Sequence, residues 1–232
     1  MIYLLPDMNT TRREIIKNAV IATLGLMLFG VGLHMVIQAN LGAAPWDVLF
    51  IGIADKLGTL YGNISIAFGV ILILVDILLL KEHIGIGTII DAIVVGKTVD
   101  FLNWTGILPT MTGSILLRIV VIVVGFFIMG FSQYLYMKMA LGYGPKDTFQ
   151  IGLSRILHKL PVGAVNFIIQ GTVLIAGILL GGPFGICSVI APFGLGLSQQ
   201  LAFNVMEFDP KSIHSQNIIQ TFRILFSKQK GA

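Results

Sequence analysis

The chain carries one apolar turn twice, a hundred residues apart. Leu41-Gly42-Ala43-Ala44-Pro45-Trp46-Asp47 returns as Leu141-Gly142-Tyr143-Gly144-Pro145-Lys146-Asp147. Gly25, Gly30, Gly52, Gly85 and Gly96 recur as Gly125, Gly130, Gly152, Gly185 and Gly196. The register slips by one residue at Gly62 and Gly163 and is regained by Leu74 and Leu174. A duplicated hydrophobic half with a helix break in each copy is the pattern of secondary transporters built from internal repeats.

Composition names the solvent. Of 232 residues, 56% are hydrophobic and only 11% charged, with a mean hydropathy of +0.92. Soluble domains carry about 25% charged residues. Several apolar runs long enough to cross a bilayer make lipid the surrounding medium. The expected fold class is an all-α polytopic membrane protein. The apolar stretch from Ala19 to Ile37 is too long for a signal-peptide core and reads as a retained first span. The single cysteine, Cys187, excludes an intramolecular disulfide and a cysteine-based metal cluster.

The first repeat covers residues 1–102, the second 103–206, and a basic tail, amphipathic or disordered, 207–232. Thr11-Arg12-Arg13-Glu14 fits a capping box that starts the first helix. Spans are expected from Ile15 to Gln38, Asn63 to Leu80, Gly87 to Leu102, Ile115 to Met137, Val162 to Leu180 and Cys187 to Val205. Short helices should begin at Pro45 and Pro145, since proline suits the first helical turn. At ~1.5 Å per residue such helices reach ~20 Å, short of the ~30 Å hydrocarbon core.

Two layouts compete. If the short helices cross the membrane, eight spans form two parallel repeats. If they are broken or re-entrant, each repeat has three spans and the second is inverted. Matched loops swap their charge: Asp47, Asp55 and Lys56 stand against Lys146, Asp147, Arg155, His158 and Lys159, and Lys81-Glu82-His83 against Gly181-Gly182-Pro183. Inverted halves place matched loops on opposite sides, which favours six spans. Arg118 speaks against this unless it snorkels to the interface. Arg12, Arg13 and Lys17 before the first span, and Lys211, Arg223, Lys228 and Lys230 after the last, put both termini in the cytoplasm.

Irregular backbone at membrane depth survives only when buried in protein or lining a cavity. The two turns are therefore the candidate site, with Gly42, Pro45, Gly142 and Pro145 shaping them. Asp47 and Asp147 offer carboxylates to a solute, an ion or a proton, although an Asp in a first helical turn also serves simply as a cap. Trp46 and Lys146 occupy matched positions and break the symmetry; interface anchoring is their plainer role. Asp91, with Lys97 or a polar group across the bundle as a prospective partner, and His34 are intramembrane ionisable candidates. Asp76 is a third such candidate, although its place late in the second span near Lys81 also lets it simply reach the interface. Gln150, Asn166, Gln170, Gln199 and Gln200 would line a pathway or join helices.

No metalloprotease, nucleophile-elbow or phosphate-loop motif occurs, so the chain is not read as an enzyme, and no cofactor or metal is implied. The basic residues form no face with interleaved aromatics, so nucleic acid is not an expected partner. Expected partners are the lipid bilayer, a small solute and, through small residues such as Gly25, Gly30 and Gly32, a second copy in a homodimer.

At Leu41 to Leu49, at Gly52, and at Gly85-Ile86-Gly87-Thr88 the sequence resembles the YczE/YyaS/YitT group of bacterial integral membrane proteins. The second copy, Leu141 to Asp147, departs by Lys146 in place of Trp. The resemblance covers residues 15–205 and implies a multi-pass protein of the bacterial cytoplasmic membrane. The function expected is a small secondary transporter or exporter. The alternative is an accessory protein that docks a cytosolic complex without transport.

Overall fold

The computed structural model describes residues 11–209 and 216–226. These residues form α1 (Arg12–Gln38), α2 (Pro45–Leu57), α3 (Tyr61–Leu78), α4 (Ile86–Thr105), α5 (Ile115–Lys138), α6 (Pro145–Ile156), α7 (Val162–Leu179), α8 (Ile186–Val205) and α9 (Ile218–Phe226), with no strand among them. The fold is all-α. Five of the described helices, α1, α3, α5, α7 and α8, are long and apolar enough to cross a membrane. The 20-residue α4 is long enough, but Asp91, Lys97 and Asp100 lower its hydropathy. The expected capping box opens α1: Glu14 N donates to Thr11 Oγ1 at 3.3 Å, and Thr11 N to Glu14 Oε2 at 2.7 Å.

Close approaches between helices give their directions. A methyl placed on Gly32 would lie 2.7 Å from the Gly125 carbonyl oxygen, and one on Gly125 2.8 Å from that of Gly32. Gly25 instead meets Ser132, Leu135 and Tyr136. Helices α1 and α5 therefore run antiparallel, touching backbone to backbone. Gly30 packs on Val95 and Thr98, and Gln38 Nε2 donates to Asn103 Oδ1 at 2.7 Å, so α1 and α4 run parallel. Gly194 against Phe126 and Gly130 against Ser198 make α5 and α8 parallel. Gly69 against Ala92 and Gly62 against Gly96 make α3 and α4 antiparallel.

It follows that α2 leaves and returns to one end of the bundle. Helix α1 ends beside the end of α4, and α3 starts at that same end, where Gly62 N donates to Asp100 Oδ1 at 2.8 Å. Helices α1 and α5, the first of each half, point in opposite directions. Helix α2, at 13 residues, and α6, at 12, are also too short to cross.

The two short helices pack on the opposite half of the chain. Gly52 of α2 lies against Gly177 and Gly182 at the end of α7. Gly152 of α6 lies against Leu80 and Glu82 after α3. Arg155 Nη1 and Glu82 Oε1 pair at 3.0 Å across that second contact. The halves are thus interlocked, and one core runs through both.

Two sequence readings change. Arg118 is held at the end of α1. Its Nε donates to Ala39 O at 2.7 Å, and its Nη2 donates to Asn40 O, so it caps the open carbonyls of α1. Asp76, expected near the interface, is fully buried. Of the tail, α9 docks Thr221 inward and exposes Ile219 and Phe222, while Gln216 N donates to Ala140 O and Ile218 N to Ile84 O, each at 2.8 Å. The basic positions Lys211, Lys228 and Lys230 lie outside the described residues.

Both breaks share one backbone shape. Asn40 and Ala140 sit at φ 54° and 56°, Gly42 and Gly142 at 94° and 116°. A Cβ on Gly142 would meet Gly85 Cα at 2.7 Å and Thr88 Oγ1 at 2.9 Å, besides the strain of its φ. Gly142→Ala should therefore destabilise the protein by about 1–3 kcal/mol. Gly113→Ala, with open space around it, should stay within about 0.5 kcal/mol; thermal unfolding in detergent compares the two.

Candidate functional site

Each break is closed by the first turn of a helix of the other half. Cys187 N donates to Leu41 O at 2.9 Å, and Gly87 N donates to Leu141 O at 2.8 Å. Glycine is required at Gly85 and Gly185, because a side chain there would strike the Leu141 and Leu41 carbonyl oxygens. Thr88 Oγ1 adds a bond to Tyr143 O at 2.6 Å. Held this way, the first turns of α2 and α6 face one chamber of about 200 Å³. Pro45 and Pro145 open these helices without leaving a buried N–H behind.

The chamber collects the carboxylates. Asp47 and Asp147 line it from the two turns, and Asp91 lines it from α4 beside Gly144. Asp47 is 4% exposed. Its Oδ1 accepts the Tyr61 hydroxyl at 2.7 Å and lies 4.0 Å from Lys146 Nζ. Asp147 Oδ2 accepts Gln133 Nε2 at 3.3 Å. Asp91 has no hydrogen-bond or ion-pair partner among the described residues and has Asp147 and Lys146 for neighbours. The Lys146 ammonium also lies 4.7 Å from the Phe50 ring centroid and 5.8 Å from that of Trp46.

Further polar groups face the same space. The Tyr136 side chain is 2% exposed and its hydroxyl has no partner among the described residues. Gln170 lines the chamber with an equally unpaired Oε1. Pro192 interrupts α8 where that helix forms the wall.

Six of the seven side chains proposed from sequence meet here: Trp46, Asp47, Asp91, Lys146, Asp147 and Gln150. His34 does not. It is buried near the Leu108 backbone, away from the lining. Lys97 is not the partner of Asp91 either; its Nζ donates to Asn63 Oδ1 at 2.7 Å and Asp100 Oδ2 at 3.3 Å. Tyr61, Gln133 and Tyr136 were not singled out in the sequence. Their positions at bundle depth were visible, but nothing local tells a lining tyrosine from a packed one.

Residues 16–203 match a family described as a family of unknown function, DUF6198. The chain belongs to this family. It is 28% identical over 194 residues to an uncharacterized protein of Haemophilus influenzae, covering 82% of this chain and 85% of that one. It is 26% identical over 193 residues to the uncharacterized membrane protein YczE of Bacillus subtilis, covering 80% and 85%. With the uncharacterized protein YyaS of the same organism it shares 22% identity over 167 residues, covering 72% and 83%. No solved structure matches it significantly. The match bears out the resemblance read from the turns. With its long apolar helices, the chain is a membrane protein.

Tyr61 holds Asp47 by a hydroxyl-to-carboxylate bond of 2.7 Å. A hydrogen bond to a charged group is worth about 1.5–3 kcal/mol. Tyr61→Phe should lower unfolding stability in detergent by that order, and Tyr61→Leu by more, because the ring also packs on Phe50.

Proposed function

We propose that this protein is a small secondary transporter of the bacterial cytoplasmic membrane. Six helices cross, α1, α3, α4, α5, α7 and α8, as two inverted halves, while α2 and α6 enter and return. The carrying observation is the chamber itself: two short-helix N-termini and three carboxylates line one space. Broken helices facing a site at a repeat interface are the architecture of alternating access. Interior charge is costly in lipid, and its usual justification is a pathway or a relay.

Helix directions support the inverted layout. With six crossings, the start of α1, the 81–85 loop, the end of α8 and α9 share one end of the bundle. That end carries Arg12, Arg13, Lys17, Lys81, Lys138, Arg155, Lys159 and Arg223. The opposite end carries Lys56, Lys97 and Arg118, the last spent on capping α1. The positive-inside rule then puts both termini in the cytoplasm. Docking of a cytosolic complex, through the tail and the basic loops, is the second reading. The exposed Ile219 and Phe222 of α9 suit a membrane surface as well as a partner.

Single cysteines in a Cys187→Ser background test the layout and the mechanism together. Thr110→Cys should react with an impermeant maleimide only from outside, and Lys159→Cys only from the cytoplasmic side. Gln150→Cys, in the chamber, should react from either side. Strictly one-sided labelling at Gln150 would remove alternating access.

The second test is flux. In a proteoliposome screen under a pH or sodium gradient, the Asp47→Asn, Asp147→Asn double variant should lose at least about 90% of any wild-type flux. It should still insert and elute as a monodisperse species. Retained flux would count against the chamber as the transport site.

A further inference from the structure

The transport reading leaves the solute unnamed, and the inference that follows rests on that reading. The charge balance of the chamber narrows the choice. Asp47, Asp91 and Asp147 bring three carboxylates, and Lys146 brings one ammonium. Two helix N-termini add about half a positive charge each. With all three carboxylates ionised the sum is negative by about one unit, and a bound cation favours that ionised form, so a cation completes the site better than an anion does.

Where that cation would sit is marked by the protein. The Lys146 ammonium lies 4.7 Å from the Phe50 ring centroid, 5.8 Å from that of Trp46 and 4.0 Å from Asp47 Oδ1. Two aromatic faces and a carboxylate form an ammonium receptor. A small metal ion, strongly hydrated and oxygen-seeking, would gain little from ring faces. The Asp47 side of this receptor is fixed by the Tyr61 hydroxyl.

The ammonium enters from the other half of the chain. Lys146 is the counterpart of Trp46, and Gln150 is the counterpart of Phe50. One half therefore supplies the receptor, and the other supplies a charged side chain to fill it. Nearby groups still lack partners. The Tyr136 hydroxyl is buried and unpaired, and Asp91 has no donor among the described residues. A second polar group on the solute, or the displaced Lys146 ammonium, would satisfy them.

We propose that the chamber takes a small organic ammonium ion. It seats on Phe50, Trp46 and Asp47 in the place now held by the Lys146 ammonium, and Lys146 swings to the Asp91 and Asp147 carboxylates. Lys146 is a tethered competitor, which keeps the receptor charge-balanced between solutes. At about 200 Å³ the chamber lies below the usual ~300–1,000 Å³ of small-molecule pockets. The solute is therefore a compact amine and not a polyaromatic cation.

The chain has two tryptophans, so Trp104→Phe leaves Trp46 as the sole reporter. The purified full chain, in detergent and at constant ionic strength, is titrated with n-butylammonium chloride, sodium butyrate and sodium chloride. A saturable change in Trp46 emission with butylammonium alone is expected. Lys146→Met should tighten that binding about tenfold by removing the competitor, and Asp47→Asn should weaken it about tenfold. Lys146→Gln serves if Lys146→Met fails to elute as a monodisperse species. No saturable response to butylammonium, an equal response to sodium, a response to butyrate, or weaker butylammonium binding in the Lys146 variant would each overturn the proposal. The two-sided labelling of Gln150→Cys separates the failures. If it holds while butylammonium does not bind, only the solute class is wrong; if butylammonium binds but labelling is one-sided, the receptor stands and transport falls.

Discussion

A peptide group inside a bilayer has no water to turn to. Each unsatisfied one costs several kcal/mol. Two stretches of this chain, 39–44 and 139–144, leave the helical ladder between α1 and α2 and between α5 and α6. They persist because each is stitched to the start of a helix of the opposite half, through Cys187 N to Leu41 O and Gly87 N to Leu141 O. That exchange requires glycine at 85 and 185, sets where α2 and α6 begin, and so aims both half-helices at one space. The chamber is what remains between two broken segments, each satisfied by the other half of the chain.

Once the backbone is paired in this way, the side chains are free to differ. Trp46 faces Lys146, Phe50 corresponds to Gln150, and Tyr61 holds Asp47 where Gln133 holds Asp147. The turn geometry matches to within a few degrees at Asn40 and Ala140, yet the two carboxylates meet different company. A symmetric scaffold with an asymmetric lining gives the two sides of the chamber different affinities for charge.

Much of this was legible in the sequence, for a physical reason. Apolar runs, the Pro-x-Asp starts and the hundred-residue register are local signals. They predicted helix ends to within about three residues, as at α1, α6 and α8. The short helices, and six of the seven candidates that line the chamber, followed from the same signals, since a charge in an apolar run draws attention wherever it points. What was missed depends on distant partners. Arg118 read as a misplaced charge because its acceptors, Ala39 and Asn40, lie far away in the chain. Lys97 was matched to Asp91 by proximity in sequence, whereas one turn of helix brings it to Asp100 instead. His34 looked like a site residue because polarity in a span is visible and the direction it faces is not.

The crosswise packing of α2 on α7 and of α6 on α3 also bears on how the chain is made. The surface of α2 around Gly52 is completed only by Gly177 and Gly182, well over a hundred residues later. At ~5–20 residues per second, the first half waits on the order of ten seconds in the membrane with that face uncovered. Neither half can therefore mature before the other arrives. The nascent first half is the stage at which a quality-control protease or an insertion chaperone has its longest opportunity.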